Sequence, residues 1–277
     1  MVLPGKRVAA LGLIGAALFP PEPPRYSAAQ LECAQFEQTV RSEIATSLSG
    51  APRRETAGIA GRLVVRAAPG GRDSLRVEAW FDSLSVWRRS AEGTLEPETD
   101  GLIGGRYRGT LAPFGRYRAE ARPFVPDELA EVADLSTVLD DLFPRLPPAP
   151  LAVGQAWADS NGLEIRRLPD SAAASGEPLL RFRLTDRRKA QEAAVKGDTV
   201  PIQLQQTMRE EGTFTWHPRD GLLRRDRQVT VETNIPAGGR VRRPVRSRIE
   251  QRIVLERLSE RAACPAQTAA PDRTEAP

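Results

Sequence analysis

The only histidine in the chain sits in "GTFTWHPRDGLLRRD", residues 212 to 226. Histidine is the side chain best suited to acid, base and metal chemistry near neutral pH. In the segment before it, Ile202, Leu204, Met208, Phe214 and Trp216 occupy even positions, and polar residues occupy most odd ones. His217 therefore falls on the polar face of a strand, beside the turn Pro218-Arg219-Asp220-Gly221, and is expected to be an exposed strand-end residue. With no second histidine, a Ser-His-Asp or Cys-His triad has no other base to use, and a metal ion lacks its usual ligand set.

The carboxylates offer little more. Glu96, Glu98 and Asp100 with Gly101 match the start of a calcium loop, but the closing acid would fall at Tyr107. Asp140 and Asp141 are adjacent on a stretch of helical spacing and point apart, and Glu210 and Glu211 are adjacent on a strand and face opposite sides. "DGLIGGR", residues 100 to 106, is glycine-rich but lacks the lysine and the βαβ setting of a phosphate loop. The expectation is a chain with no catalytic residue, no metal site and no cofactor.

Two cysteines remain, Cys33 and Cys264, bracketing the body of the sequence. Lys6 and Arg7 precede the apolar stretch "VAALGLIGAALF", residues 8 to 19, which is short for a membrane span. Small residues Ser27-Ala28-Ala29 follow, the layout of a secretory signal peptide cleaved before Gln30. In an oxidising compartment the two cysteines suggest one disulfide between the first and last elements. Lipid modification of Cys33 is the alternative, although Glu32 stands where a lipobox needs a small residue. No other segment is apolar enough to be a transmembrane span.

Of 277 residues, 40% are hydrophobic and 27% charged, enough apolar content for a folded core. The formal charge is +4, and only three of the 40 basic residues are lysines, Lys6, Lys189 and Lys196. The arginines alternate with apolar residues, as in "LRFR", and 36 acidic residues offset them. That pattern describes the solvent face of strands and argues against nucleic acid as a partner.

The elements that must carry these residues are mostly strands. In "AQFEQTVRSEIATSL", residues 34 to 48, the even positions are uncharged and the odd positions carry Glu37, Arg41 and Glu43. "PGGRD" reads as a hairpin turn. In "SLRVEAWFDSLSVW" the apolar phase passes from Leu75, Val77, Ala79 and Phe81 to Leu84 and Val86, which predicts a bulge near Asp82-Ser83. Turns are expected at Pro113 to Gly115 and at Asn161-Gly162, and long paired strands over 200 to 216 and 221 to 235. "VRSRIEQRIVLERL" puts Val245, Ile249, Ile253 and Leu255 on one face. "AQEAAVKGD", residues 190 to 198, reads as a short helix or a loop, and residues 266 to 277 as a disordered tail.

One segment is different. Leu129, Val132, Leu135, Val138, Leu139, Leu142 and Phe143 recur at helical spacing, so an amphipathic helix is expected over about 126 to 143, stopped by Pro144. The fold class is thus mainly β (α+β): a large curved antiparallel sheet or half-barrel, residues 30 to 265, with one helix covering the concave face. Trp80, Trp87, Leu135, Leu139, Trp157 and Trp216 are the candidate lining of an apolar cavity between sheet and helix.

The segments "LPPAPLAVGQAW" and "FTWHPRDGLLRRD", with the central helix between long strands, resemble uncharacterised bacterial exported β-rich proteins. More distantly the layout is similar to periplasmic lipoprotein carriers with a half-open β-barrel. The resemblance implies a non-catalytic protein of the cell envelope, periplasmic or extracellular, that binds a lipid or lipoprotein acyl chain on its concave face. The alternative is an interaction module whose arginine-rich outer face engages another envelope protein.

Overall fold

The computed structural model describes residues 22–48, 51–71, 73–173, 175–189, 204–237, 243–262 and 264. Most of the leader, the 190 to 198 segment, part of the "PAGGR" turn and the tail lie outside these residues. Among the described residues, twelve strands form one antiparallel sheet that does not close on itself. In chain order they are β1 (Ala34–Leu48), β2 (Ala51–Pro69), β3 (Leu75–Ser90), β4 (Gly93–Leu95), β5 (Tyr107–Leu111), β6 (Tyr117–Ala121), β7 (Ala156–Ala158), β8 (Leu163–Ala172), β9 (Pro178–Lys189), β10 (Gln205–His217), β11 (Gly221–Ile235) and β12 (Val245–Arg261). The spatial order is β6-β5-β3-β2-β1-β12-β11-β10-β9-β8-β7, with β4 paired to β3. The first and last long strands are therefore neighbours in the middle of the sheet.

Register follows the period-2 pattern. Phe36, Val40 and Ile44 of β1 stand opposite Arg257, Ile253 and Ile249 of β12 and opposite Leu63, Ile59 and Glu55 of β2. Because a one-residue slip would turn every apolar side chain outward, this alternation fixes the pairing. The expected bulge is present: Arg62 pairs with Ser83 and Leu63 with Phe81, so Asp82 is the extra residue. It carries the apolar phase of β3 from Phe81 to Leu84, both buried.

The core lies on the even-numbered face of β1, under the segment 126 to 146. Leu129, Val132, Leu135, Val138, Leu139, Leu142, Phe143 and Leu146 are all buried, against Leu63, Phe81, Tyr107, Phe182, Phe214 and Trp216 among others. Each such side chain contributes about 1.5–3 kcal/mol by leaving water. The apolar stripe covers the sheet as its spacing predicts, but the expected single helix over 126 to 143 is a correction. Two short helices form instead, α2 (Asp127–Ala130) and α3 (Val138–Leu142). Asp134 interrupts them. Its Oδ1 accepts from the Ser136 backbone N–H at 2.9 Å and from Ser136 Oγ at 2.6 Å, and its Oδ2 from Thr137 Oγ1 at 3.3 Å. An Asp side chain that captures backbone in this way favours a turn over a helix interior.

The two turns closest to the core behave as their sequences demand. At Ala112 to Gly115 the Gly115 N–H donates to the Ala112 carbonyl at 2.9 Å, and Gly115 has φ +83°. A side chain there would also collide with the Pro144 carbonyl, so glycine is required twice over. At the β7–β8 turn, Asp159 Oδ1 accepts from the N–H groups of Asn161 (2.8 Å) and Leu163 (3.1 Å), with Gly162 at φ +95°.

The N-terminal residues described are packed. Helix α1 (Ala28–Leu31) is started by Ser27 in a reciprocal capping box with Gln30. Tyr26 is 4% exposed, donates from its hydroxyl to the Pro144 carbonyl at 3.1 Å, and meets Phe143 and Trp216 edge-on. Cys33 and Cys264 form a disulfide, with Cα atoms 5.8 Å apart.

Candidate ligand-binding face

Beyond the covered core, the even face of the sheet carries a second set of apolar residues. Register places Ile44 of β1 opposite Ile249 of β12, Ile249 opposite Val231 of β11, and Val231 opposite Met208 of β10. All four are half-buried and none belongs to the core cluster. They make one aliphatic band crossing four adjacent strands. At about 4.8 Å per strand the band is roughly 14 Å long between its end residues. Its two flanking rows are largely polar. One holds Ser42 and Gln251, hydrogen-bonded at 3.1 Å, then Val229 and Glu210. The other holds Thr46, Ser247, Thr233 and Gln206. The band ends on charge at both sides: Ile44 faces Glu55 of β2, and Met208 faces Arg188 of β9.

At the Arg188 end lies a buried ionic cluster. Glu210 Oε1 accepts from Arg225 at 2.9 Å and from Arg227 at 3.2 Å. Asp186, directly opposite Glu210, pairs through Oδ2 with Arg188 at 2.8 Å. These groups line a cavity of about 220 Å3 between the sheet and the segment 140 to 145. Arg145 reaches it from that segment. Burial, and then the charge of Arg116, hold the Arg145 guanidinium below its ordinary pKa, with Asp159 opposing them. Tyr117 also lines it, its hydroxyl pushed up by burial and by Asp140.

The six residues expected to line an apolar cavity are dispersed. Leu135, Leu139 and Trp216 are buried in the core. Trp157, on the short β7, packs half-buried at its margin. Trp80 and Trp87 occupy the opposite face of β3. The Arg106 guanidinium lies over Trp80 at 3.7 Å, and Trp87 fills the space above Gly58, its cross-strand partner. The ionic cluster was missed. Its signal is legible in hindsight: Glu210, Arg225 and Arg227 are charges on the apolar parity of β10 and β11, and Glu211 is on the solvent side.

His217 is a further correction. It is 4% exposed, not an open strand end. Its Nδ1 lies 2.6 Å from Asp220 Oδ2, and its Nε2 lies 3.3 Å from Glu177 Oε2, which also takes Arg219 at 2.7 Å. The Pro218 carbonyl accepts from Gln30 Nε2 at 3.1 Å, so α1 docks against this turn and helps to cover it. Glu177 is held below the usual carboxylate range, first by the Ser175 hydroxyl and, against some desolvation, by Arg219 and His217.

The odd face is arginine-rich and largely self-neutralised. Arg252 pairs with Asp226 at 2.9 Å and Arg248 with Glu232 at 3.1 Å across strands. A shallow hollow of about 570 Å3 at the far strand ends is lined mostly from this face, by Gln205, Glu232, Asn234, Arg246 and Arg248 among others. Among the described residues no cluster of His, Cys, Asp and Glu could hold a metal ion, and no helix is long and apolar enough to cross a membrane.

No protein-family model matches the chain, and no curated protein sequence matches it. Among solved structures, lipovitellin, described for its lipid–protein interactions, aligns with 85% of this chain at 11% identity and a TM-score of 0.43. The chain spans only 26% of lipovitellin's length. A DUF1329 family protein from Desulfovibrio piger aligns with 79% of this chain and 84% of its own, at 10% identity and a TM-score of 0.15. MucB, in its complex with MucA(peri), aligns with 84% of this chain and 91% of its own, at 8% identity and a TM-score of 0.10.

Proposed function

We propose that this chain is a non-catalytic binding protein of the cell envelope that carries the acyl chain of a lipid or lipoprotein on the even face of its sheet. The observation that carries the reading is the band Ile44–Ile249–Val231–Met208. It is aliphatic, continuous across four strands and outside the core, and its flanking rows are largely polar. A linear apolar chain laid along it would cover side chains that are now half-exposed, at roughly 1 kcal/mol for each one covered. The disulfide and the leader-like N-terminus support an exported, oxidising location. The alternative, an arginine face that binds an envelope partner, has less to act on because cross-strand acids pair many of those arginines.

The test is extraction and native mass spectrometry of the purified protein, followed by displacement of a fluorescent fatty acid. Ile249→Asp is expected to abolish binding, while Gln228→Asp on the exposed odd face leaves it intact. Lipid-free protein that ignores the probe, or an Ile249→Asp variant that binds as well as wild type, refutes the reading.

A further inference from the structure

The pairing of arginines with acids on the odd face stops at one wing of the sheet. On β11 and β12, Arg224, Arg248 and Arg252 each hold an acid of the neighbouring strand: Glu256, Glu232 and Asp226. On β9 the same face carries Arg181, Arg183 and Arg187, with Arg166 beside them on β8 and Arg209 on β10. All five are exposed. Arg166 has Glu164 at 3.0 Å, and the other four make no ion pair among the described residues. Register sets Arg166 directly opposite Arg183, and Arg187 directly opposite Arg209. Like charges so placed destabilise a sheet. A similar pair nearer the middle, Arg41 and Arg252, is relieved by Asp226, which holds Arg252 at 2.9 Å. On the wing, the row between the two arginine pairs holds Glu164, Thr185 and Glu211, and Asp170 at the edge is taken by Arg167. Five arginines against Glu164 and Glu211 leave this wing positive.

These charges are spread out rather than convergent. Arg181 and Arg187 stand about 20 Å apart along an extended strand, and the three strands span about 10 Å across. No single small anion can touch all five guanidiniums, but a surface presenting many anions side by side can. Between the arginines this face carries Thr185, Thr213 and Thr215. Leu168 and Leu179, at its margin, are half-buried. The patch therefore has no aromatic ring on which a base could stack, and no exposed apolar anchor for the centre of a protein interface. Anionic lipid head groups need neither, because they present a plane of charge that attracts each arginine brought close to it.

We infer that the β8–β10 wing of the odd face docks on a membrane surface of anionic phospholipid, held by Arg166, Arg181, Arg183, Arg187 and Arg209 through charge alone. The aliphatic band lies on the other face of the sheet, so this surface acts whether or not the band carries an acyl chain. It also gives the two opposed arginine pairs a use: a plane of negative charge relieves a repulsion that the free protein bears.

The full chain is sedimented with vesicles of phosphatidylglycerol and, separately, of phosphatidylcholine. Binding to phosphatidylglycerol is expected at about 0.1 M salt and release at about 1 M, as the screening length falls from about 10 Å to about 3 Å. Phosphatidylcholine vesicles are expected to bind far less. Each arginine near an anionic surface contributes about fivefold in affinity, so Arg183→Gln with Arg187→Gln is expected to weaken binding about 25-fold. Arg224→Gln with Arg248→Gln removes the same net charge from paired positions on the same face and is expected to weaken it much less. The Arg183→Gln, Arg187→Gln variant is expected to melt at or above the wild-type temperature, since it loses repulsion, and to bind a fluorescent fatty acid as wild type does. Equal losses in the two double variants, binding that ignores salt, or equal binding of the two lipids overturns the inference and leaves the carrier reading standing. Binding to heparin with none to phosphatidylglycerol vesicles overturns it too, and makes the wing a site for a soluble polyanion.

Discussion

Replacing Glu210 by Gln tests the energetics of the buried cluster most directly. Glu210 sits between Arg225 and Arg227, and the three side chains are 10%, 9% and 4% exposed. Removing its charge leaves two desolvated guanidiniums without the carboxylate they share. Breaking a buried pair from one side costs about 3–5 kcal/mol. For a domain of this size each kcal/mol moves the melting temperature by about 2–4 °C, so Glu210→Gln is expected to melt roughly 6–20 °C below wild type. The comparison is Glu232→Gln, whose pair with Arg248 is about half exposed on both sides. Exposed pairs of this kind contribute about 0–1 kcal/mol. Both variants are followed by thermal and urea unfolding with the disulfide intact. If Glu210→Gln and Glu232→Gln lose the same small amount, the cluster is not desolvated as its burial says, and the argument from buried charge fails.

Three further outcomes are expected. Replacing both Cys33 and Cys264 by Ser opens a loop closed over a sequence separation of 231 residues, and should cost about 2–5 kcal/mol in urea unfolding. Acid should destabilise the fold as pH falls through and below about 4, the ordinary carboxylate range. Burial pushes Glu78 up, but hydrogen bonds from Arg108 and Arg66 outweigh it and hold its pKa low. Asp226 is held low chiefly by Arg252, against its own desolvation. Stability from a lowered carboxylate is present above its unfolded-state pKa and is lost below it, so Asp226→Asn should flatten the acid limb of the stability curve. Tyr26→Ala should cost about 3–5 kcal/mol, the range for a large buried aromatic. N-terminal sequencing of the exported protein is accordingly expected to find Tyr26 retained, with cleavage upstream of the site before Gln30 that the sequence suggests.

The sheet was legible because its signal is local. Within residues 34 to 48 every charge, Glu37, Arg41 and Glu43, falls on an odd position, and β1 spans those same residues. The phase slip at Asp82 was readable for the same reason, since a bulge shifts parity by one and leaves its mark in the sequence. The covering segment was half legible. Its apolar positions all reach the core, but its backbone depends on Asp134, whose preference for a turn competes with helical spacing. The candidate site was hidden by nonlocal pairing. Ile44 and Ile249 are 205 residues apart in sequence yet opposite each other in register, and no periodicity reveals that. His217 illustrates the same limit: parity put it on the polar side, but Glu177 from another hairpin and Asp220 of the turn close on it there.

The placement of β12 beside β1 has a consequence for biogenesis. As the nascent chain emerges, β1 can pair with β2 on one side only, and β11 with β10. Each keeps a raw hydrogen-bonding edge until β12 arrives and is zipped between them. Among the described strands the keystone is thus the last to be made, and no strand pairing joins the two wings before it. Assembly must be slow and late, with two sticky margins exposed in the meantime. The disulfide follows the same order, since Cys33 precedes β1 and its mate Cys264 comes after β12.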